Sequence, residues 1–98
     1  MTNEDEKGYN GWKNYETWAV KLWMDNDEGS QRLFEDLARV HVKESGDKAG
    51  YGLTRAVKDN IVCSAPDLGA SMYADLLGSA LDNVDWREIA ESLIEGLE

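Results

Sequence analysis

Apolar side chains recur along this chain every three or four residues, the period of an α-helix, with polar or glycine-rich stretches between the runs. Tyr15, Trp18, Ala19 and Leu22 make the first stripe, with Trp23 beside it. Asn14 precedes the stripe as a helix cap, because its side-chain oxygen can accept from an otherwise unpaired amide. The run Asp25-Asn26-Asp27-Glu28-Gly29 predicts the end of that helix, since Asn and Asp favour turns and Gly tolerates positive φ. A second helix is predicted from about Ser30 to Glu44, with Leu33, Phe34, Leu37, Ala38 and His41 on one face. Gly46, Gly50 and Gly52 then predict a flexible loop. A third helix carries Leu53, Ala56, Val57, Asn60 and Ile61 and must stop before Pro66. Tyr73, Leu76, Leu77, Ala80 and Leu81 repeat the spacing in a fourth.

The fifth helix has the clearest pattern. Asp85 and Glu88 predict an acidic variant of a capping box, each side chain reaching the other residue's free amide. Trp86, Ile89, Ala90, Leu93, Ile94 and Leu97 form a continuous apolar stripe, while Glu88, Glu91, Glu95 and Glu98 fall on the opposite side. Burying such stripes takes other helices, and no alternating strand pattern competes. The expected fold is therefore all-α, a compact bundle of four to five short helices. Residues 1–11, polar and with two glycines, read as a flexible acidic tail ahead of a single helical domain at 12–98.

Charge narrows the function classes. Twenty acidic against ten basic residues give a formal charge of −10 over 98 residues. Residues 1–29 carry −4, residues 30–66 carry +1 and residues 67–98 carry −7, so both ends are acidic around a near-neutral middle. Affinity for phosphate comes from Lys and Arg, so direct binding to nucleic acid or to an anionic membrane is not expected. No apolar run approaches 18 residues and the first ten residues are polar and acidic, so neither a transmembrane helix nor a signal peptide is expected, and the predicted location is cytoplasmic. The lone Cys63 excludes an intramolecular disulfide and a multi-thiolate metal site, and is expected to be a small buried hydrophobe.

Candidate chemistry is sparse. Asp25, Asp27 and Glu28 hint at a calcium loop, yet counting from Asp25 puts Ser30 at the sixth position and Asp36 at the twelfth, where Gly and Glu are needed. His41 lacks an aligned nucleophile or carboxylate, and no motif supports pairing it with Cys63. Lys48-Ala49-Gly50-Tyr51-Gly52 lacks the frame of a phosphate-binding loop. No catalytic residue, metal or cofactor is expected, and the chain reads as a non-enzymatic protein.

Two blocks carry a resemblance. One is Gly11-Trp12-Lys13-Asn14-Tyr15-Glu16-Thr17-Trp18-Ala19-Val20-Lys21-Leu22-Trp23 with Asp25-Asn26-Asp27-Glu28-Gly29. The other is Tyr73-Ala74-Asp75-Leu76-Leu77, then Ala80-Leu81 and Val84-Asp85-Trp86-Arg87-Glu88-Ile89-Ala90. Together they resemble an uncharacterised family of small acidic proteins carried by phages, plasmids and other mobile elements. The resemblance implies a mobile-element setting and no catalytic residue.

What remains is surface. Glu88, Glu91, Glu95 and Glu98 recur every three or four residues, spacing negative charge by roughly 5–6 Å along one side of a helix. Asp75, Asp82 and Asp85 extend that field if the fourth and fifth helices pack as an antiparallel hairpin. Trp12 and Trp23, off or beside the first stripe, are candidate anchors for a partner's pocket. The expected function is an acidic binding protein that engages a basic surface of a host protein, in its sharpest form a DNA-mimicking or surface-masking inhibitor of a host defence protein. The alternative is a small structural or assembly protein acting as a homodimer.

Overall fold

The computed structural model describes residues 8–97. Five α-helices follow one another: α1 Tyr15–Asn26, α2 Glu28–Ser45, α3 Ala49–Cys63, α4 Met72–Asp82 and α5 Trp86–Glu95, with a 3-10 turn at Gly46–Lys48 between α2 and α3. Among the described residues there is no strand, only an isolated bridge pairing Tyr9 with Trp12. The fold is all-α, as the apolar periodicity predicts.

Four of the helices share one core. Leu53 and Val57 of α3 meet Ile89, Ala90 and Leu93 of α5, and Phe34 and Ala38 of α2 and Met24 of α1 close the sides. Burying a large aliphatic or aromatic side chain stabilises by roughly 1.5–3 kcal/mol, so this small set outweighs any surface interaction in the molecule. The main interfaces run between α3 and α5, α2 and α3, and α1 and α2.

Several boundaries differ from the sequence expectation, each for a local reason. A single residue, Asp27, separates α1 from α2. Its Oδ2 accepts from the Ser30 amide at 2.9 Å and from the Ser30 hydroxyl at 2.7 Å, so one side chain starts the new helix where a longer turn was expected. The expected loop around Gly46, Gly50 and Gly52 is largely helical. Only Gly46 adopts positive φ (56°), closing α2 with its N–H donating to the Val42 carbonyl. Gly52 lies inside α3, where an added Cβ would stand 3.0 Å from His41 Cδ2, so the glycine permits close approach of α3 to α2.

The buried face of α1 also differs. Thr17 and Met24 are buried and Val20 packs against the core, whereas Tyr15 and Leu22 of the expected stripe are exposed. Thr17 turns inward because its hydroxyl is needed there, as described below. Tyr9 packs against the rings of Tyr15 and Trp18 from outside, with centroids 5.3 and 5.0 Å away.

Part of the predicted tail is likewise structured. The Tyr9 and Trp12 amides each donate to the other's carbonyl, at 2.8 and 2.7 Å. Asn10 and Gly11 between them take φ of 48° and 88°, both positive, as in the two-residue turn that favours Asn-Gly. Residues 1–7 lie outside the described residues.

Helix α4 stands apart from this pattern. Ser71 caps it, accepting from the Ala74 amide, yet none of its residues is buried and it forms none of the main interfaces. Leu81 near its end touches the core, while Met72, Tyr73 and Leu76 remain 63%, 64% and 61% exposed.

Candidate protein interface

The two sequence blocks that open and close the chain meet in space. Asn14 Oδ1 accepts from the Thr17 amide at 2.9 Å and from the Thr17 hydroxyl at 2.6 Å. The Thr17 oxygen in turn accepts from the Asp85 amide at 2.8 Å, and Asn14 Nδ2 donates to the Asn83 carbonyl at 2.7 Å. Asp85 accepts from the Glu88 amide at 3.1 Å as the cap of α5, and Glu88 Oε1 accepts from the Lys13 amide at 3.0 Å. Asp85 therefore caps as predicted, but its own amide is held by Thr17. This polar knot ties the start of α1 to the start of α5 and leaves no buried side-chain nitrogen or oxygen without a partner among the described residues. Thr17, fully buried, was not singled out by sequence reasoning; a polar residue on the inner face of an apolar helix was its only signal.

Beside the knot lies the acidic face. Glu88, Glu91 and Glu95 of α5 line one cleft of about 280 Å³ together with Gly11, Trp12 and Ser92. The Asn10-Gly11 turn places Trp12 there, half-buried and packed on the core. Arg87 donates to Glu91 Oε2 at 3.0 Å, and that bond and charge raise the Arg87 pKa, fixing the guanidinium as a cation. Trp12 and three of the expected acids thus come together, while Glu98 lies outside the described residues.

The remaining expected residues do not join them. The hairpin of the fourth and fifth helices that would have extended the acidic ridge does not form, because α4 stands off the body ahead of Leu81. Asp75 lies on that separate helix, exposed. Asp82 and Asp85 line a different cleft, shared with Lys13, Arg55, Lys58 and Arg87. The carboxylates of residues 75–95 are divided between surfaces, and Asp82 and Asp85 share their cleft with Arg55 and Lys58 without forming an ion pair to either.

Trp23 is 73% exposed, away from Trp12, and lines a shallow apolar groove of about 560 Å³ with Val20, Leu33, Phe34 and Ile61. Cys63 is exposed, not buried as expected, since it closes α3 where the chain leaves the core. His41 is structural in its surroundings: its Nδ1–H donates to the Leu37 carbonyl at 3.0 Å and its ring lies against Gly52. Gly52 and Cys63 are 11 residues apart on α3, roughly 16 Å at helical rise, so no Cys–His pair forms. Among the described residues, no group of three or more His, Cys, Asp or Glu is placed to hold a metal ion, and no helix is long and apolar enough to cross a membrane.

Fold and surface together define a small acidic helical protein whose conspicuous features are exposed clefts and an uncovered helix. The chain belongs to a family of unknown function, DUF7249, whose model matches residues 5–97. No curated protein and no solved structure matches it.

Proposed function

We propose that this chain is a non-enzymatic protein-binding module that engages a basic surface of a partner protein through the outer face of α5. The observation that carries this reading is the gathering of Glu88, Glu91 and Glu95 with Trp12 around one cleft. Carboxylates at this spacing complement a row of Lys or Arg and steer encounter, while an indole at the same site supplies short-range apolar contact. In the mobile-element setting that the sequence resemblance implies, the partner is a cytoplasmic host defence protein whose nucleic-acid-binding patch is masked. The masking face is narrower than a full DNA mimic, because Asp75, Asp82 and Asp85 stand elsewhere.

The test is affinity capture from the host followed by measurement with the purified partner. Glu91→Gln with Glu95→Gln should weaken binding at least tenfold, and wild-type affinity should fall steeply between low and moderate salt. Glu88 is left intact because it holds the Lys13 amide. Affinity indifferent to both changes overturns the proposal.

A homodimer is the second reading, favoured by α4. Met72, Tyr73 and Leu76 are 63%, 64% and 61% exposed on a helix that forms none of the main interfaces, an apolar surface that a second copy would cover. Sedimentation equilibrium of the wild type and of Leu76→Asp decides it: a dimer abolished by the substitution supports self-association through α4, and a monomer at high micromolar concentration removes it.

A further inference from the structure

Ten Lys and Arg serve this chain of 98 residues, and four of them converge on one cleft. Lys13 comes from the segment before α1, Arg55 and Lys58 from α3, and Arg87 from the first turn of α5. Outside the cleft Lys21, Arg32 and Arg39 each pair with a carboxylate one turn away on their own helix while Lys43 and Lys48 do not among the described residues, and within it Arg87 pairs with Glu91. Lys13, Arg55 and Lys58 make no ion pair among the described residues, although acids outnumber bases two to one. Asp82 and Asp85 also line the cleft, and Asp85 is engaged in capping α5. Four cations against two lining carboxylates and Glu91, which pairs with Arg87 from beside the cleft, leave a balance of +1 in a chain of −10. Like charges gathered from three separate stretches repel one another, and an anion in the cleft relieves that repulsion.

The cleft also offers an aromatic wall. Tyr51, Arg55 and Lys58 stand at i, i+4 and i+7 along α3, so the ring and two cations share one helix face. Tyr51 is 70% exposed, and the Arg87 guanidinium carbon lies 5.6 Å from its ring centroid. The cleft is open to solvent and spans about 560 Å³, room for a small molecule lying along its wall.

We propose that this cleft binds a phosphorylated small molecule of the nucleotide class, with Lys13, Arg55, Lys58 and Arg87 facing its phosphates and Tyr51 offering a stacking surface to its ring. The grip comes from side chains, not from a glycine-rich amide cradle, because the chain is helical from Ala49 onward. Guanidinium groups suit this task, since each donates two parallel hydrogen bonds to one phosphate. A small ligand fits better than a nucleic-acid strand, whose further phosphates would have to lie on a protein of net charge −10. This site meets the acidic face of α5 at the Arg87–Glu91 ion pair, which substitutions at Tyr51, Arg55 and Lys58 leave in place, so either proposal can fail alone.

The experiment is a nitrogen-15 NMR titration of the full chain with ADP, pyrophosphate, adenosine and a short single-stranded oligonucleotide. Saturable shifts confined to residues 13–14, 51–58 and 82–87 are expected with ADP, with affinity several-fold above that for pyrophosphate or adenosine. Arg55→Ala with Lys58→Ala should weaken ADP at least tenfold, and Tyr51→Ala should remove its advantage over pyrophosphate. Both cations are exposed and unpaired, and the single Arg55→Gln change, expected to weaken ADP several-fold, serves if the double variant does not fold. No saturable shift at millimolar ADP, affinity unchanged by the substitutions, equal affinity for ADP and pyrophosphate, or tighter binding of the oligonucleotide at the same residues overturns the assignment.

Discussion

Helices α4 and α5 are neighbours in sequence, of nearly equal length and both amphipathic, yet one is embedded and the other is not. Trp86, Ile89, Ala90 and Leu93 of α5 are buried, and its first turn is anchored by the polar knot with α1. Helix α4 carries a weaker apolar stripe and buries none of it fully, with Leu77, Ala80 and Leu81 half-buried. The difference lies in the tie. Thr17, Asn14 and Glu88 fix where α5 sits against α1 and α2, whereas α4 hangs between the capping turn at Ser71 and Asn83, with Leu81 its contact to the core. An apolar stripe says that a helix needs a partner, and only specific polar contacts say which surface provides it.

The sharpest way to break this comparison is truncation on the two helices. Ile89→Ala should lower unfolding free energy by about 2–5 kcal/mol, because it empties a fully buried site. Leu76→Ala on α4 should change monomer stability by no more than about 0.5 kcal/mol, as exposed positions do. Urea unfolding of the two variants checks both, and a large loss from Leu76→Ala in a monomer would show that α4 is packed.

The knot is next in size. Thr17→Val keeps the shape of the side chain but strands the Asp85 amide and one partner of Asn14, at a cost of about 1–3 kcal/mol. Asn14→Ala loses a helix cap for about 1 kcal/mol. The two share one network, so the double variant should lose less than the sum of the single losses, and strict additivity would show that Asn14 and Thr17 act separately. Amide hydrogen exchange measures the same contrast without mutation: α4 should exchange well ahead of the central turns of α5.

Much of the fold was legible in sequence because helical periodicity is local. The stripes of α2, α3 and α5 name the buried Phe34, Ala38, Leu53, Val57, Ile89, Ala90 and Leu93. The stripe of α1 misled, because two apolar faces competed and a hydrogen bond across 68 residues chose the one with Thr17. The Asn10-Gly11 turn was readable as a local signal that the surrounding polarity hid. Of the candidate surface, Glu88, Glu91 and Glu95 follow from helical spacing, and Trp12 joins them only through that turn. Asp82 and Asp85 stand in a different cleft, with Arg55 and Lys58, because α4 and α5 do not pack as a hairpin, a tertiary outcome that no spacing along one helix encodes.

The smallest effect concerns Asp27, the residue that divides α1 from α2, and its sign follows from its hydrogen bonds. The Ser30 hydroxyl and then the Ser30 amide donate to its carboxylate and hold its pKa below the ordinary aspartate value. A depressed folded-state pKa means that the cap contributes in full above the unfolded-state value, roughly 3.9, and loses its contribution as pH falls through the lower folded value. Asp27 is exposed, so the contribution is small and salt-sensitive. Carbon-detected NMR titration should place its midpoint below the ordinary range. Asp27→Asn retains a capping oxygen without a titrating proton, so that variant should lose the acid-dependent part while α2 still begins at Glu28. If the midpoint of Asp27 equals that of an unstructured aspartate, the charge-assisted cap is absent and the start of α2 depends on packing of Phe34 and Ala38 alone.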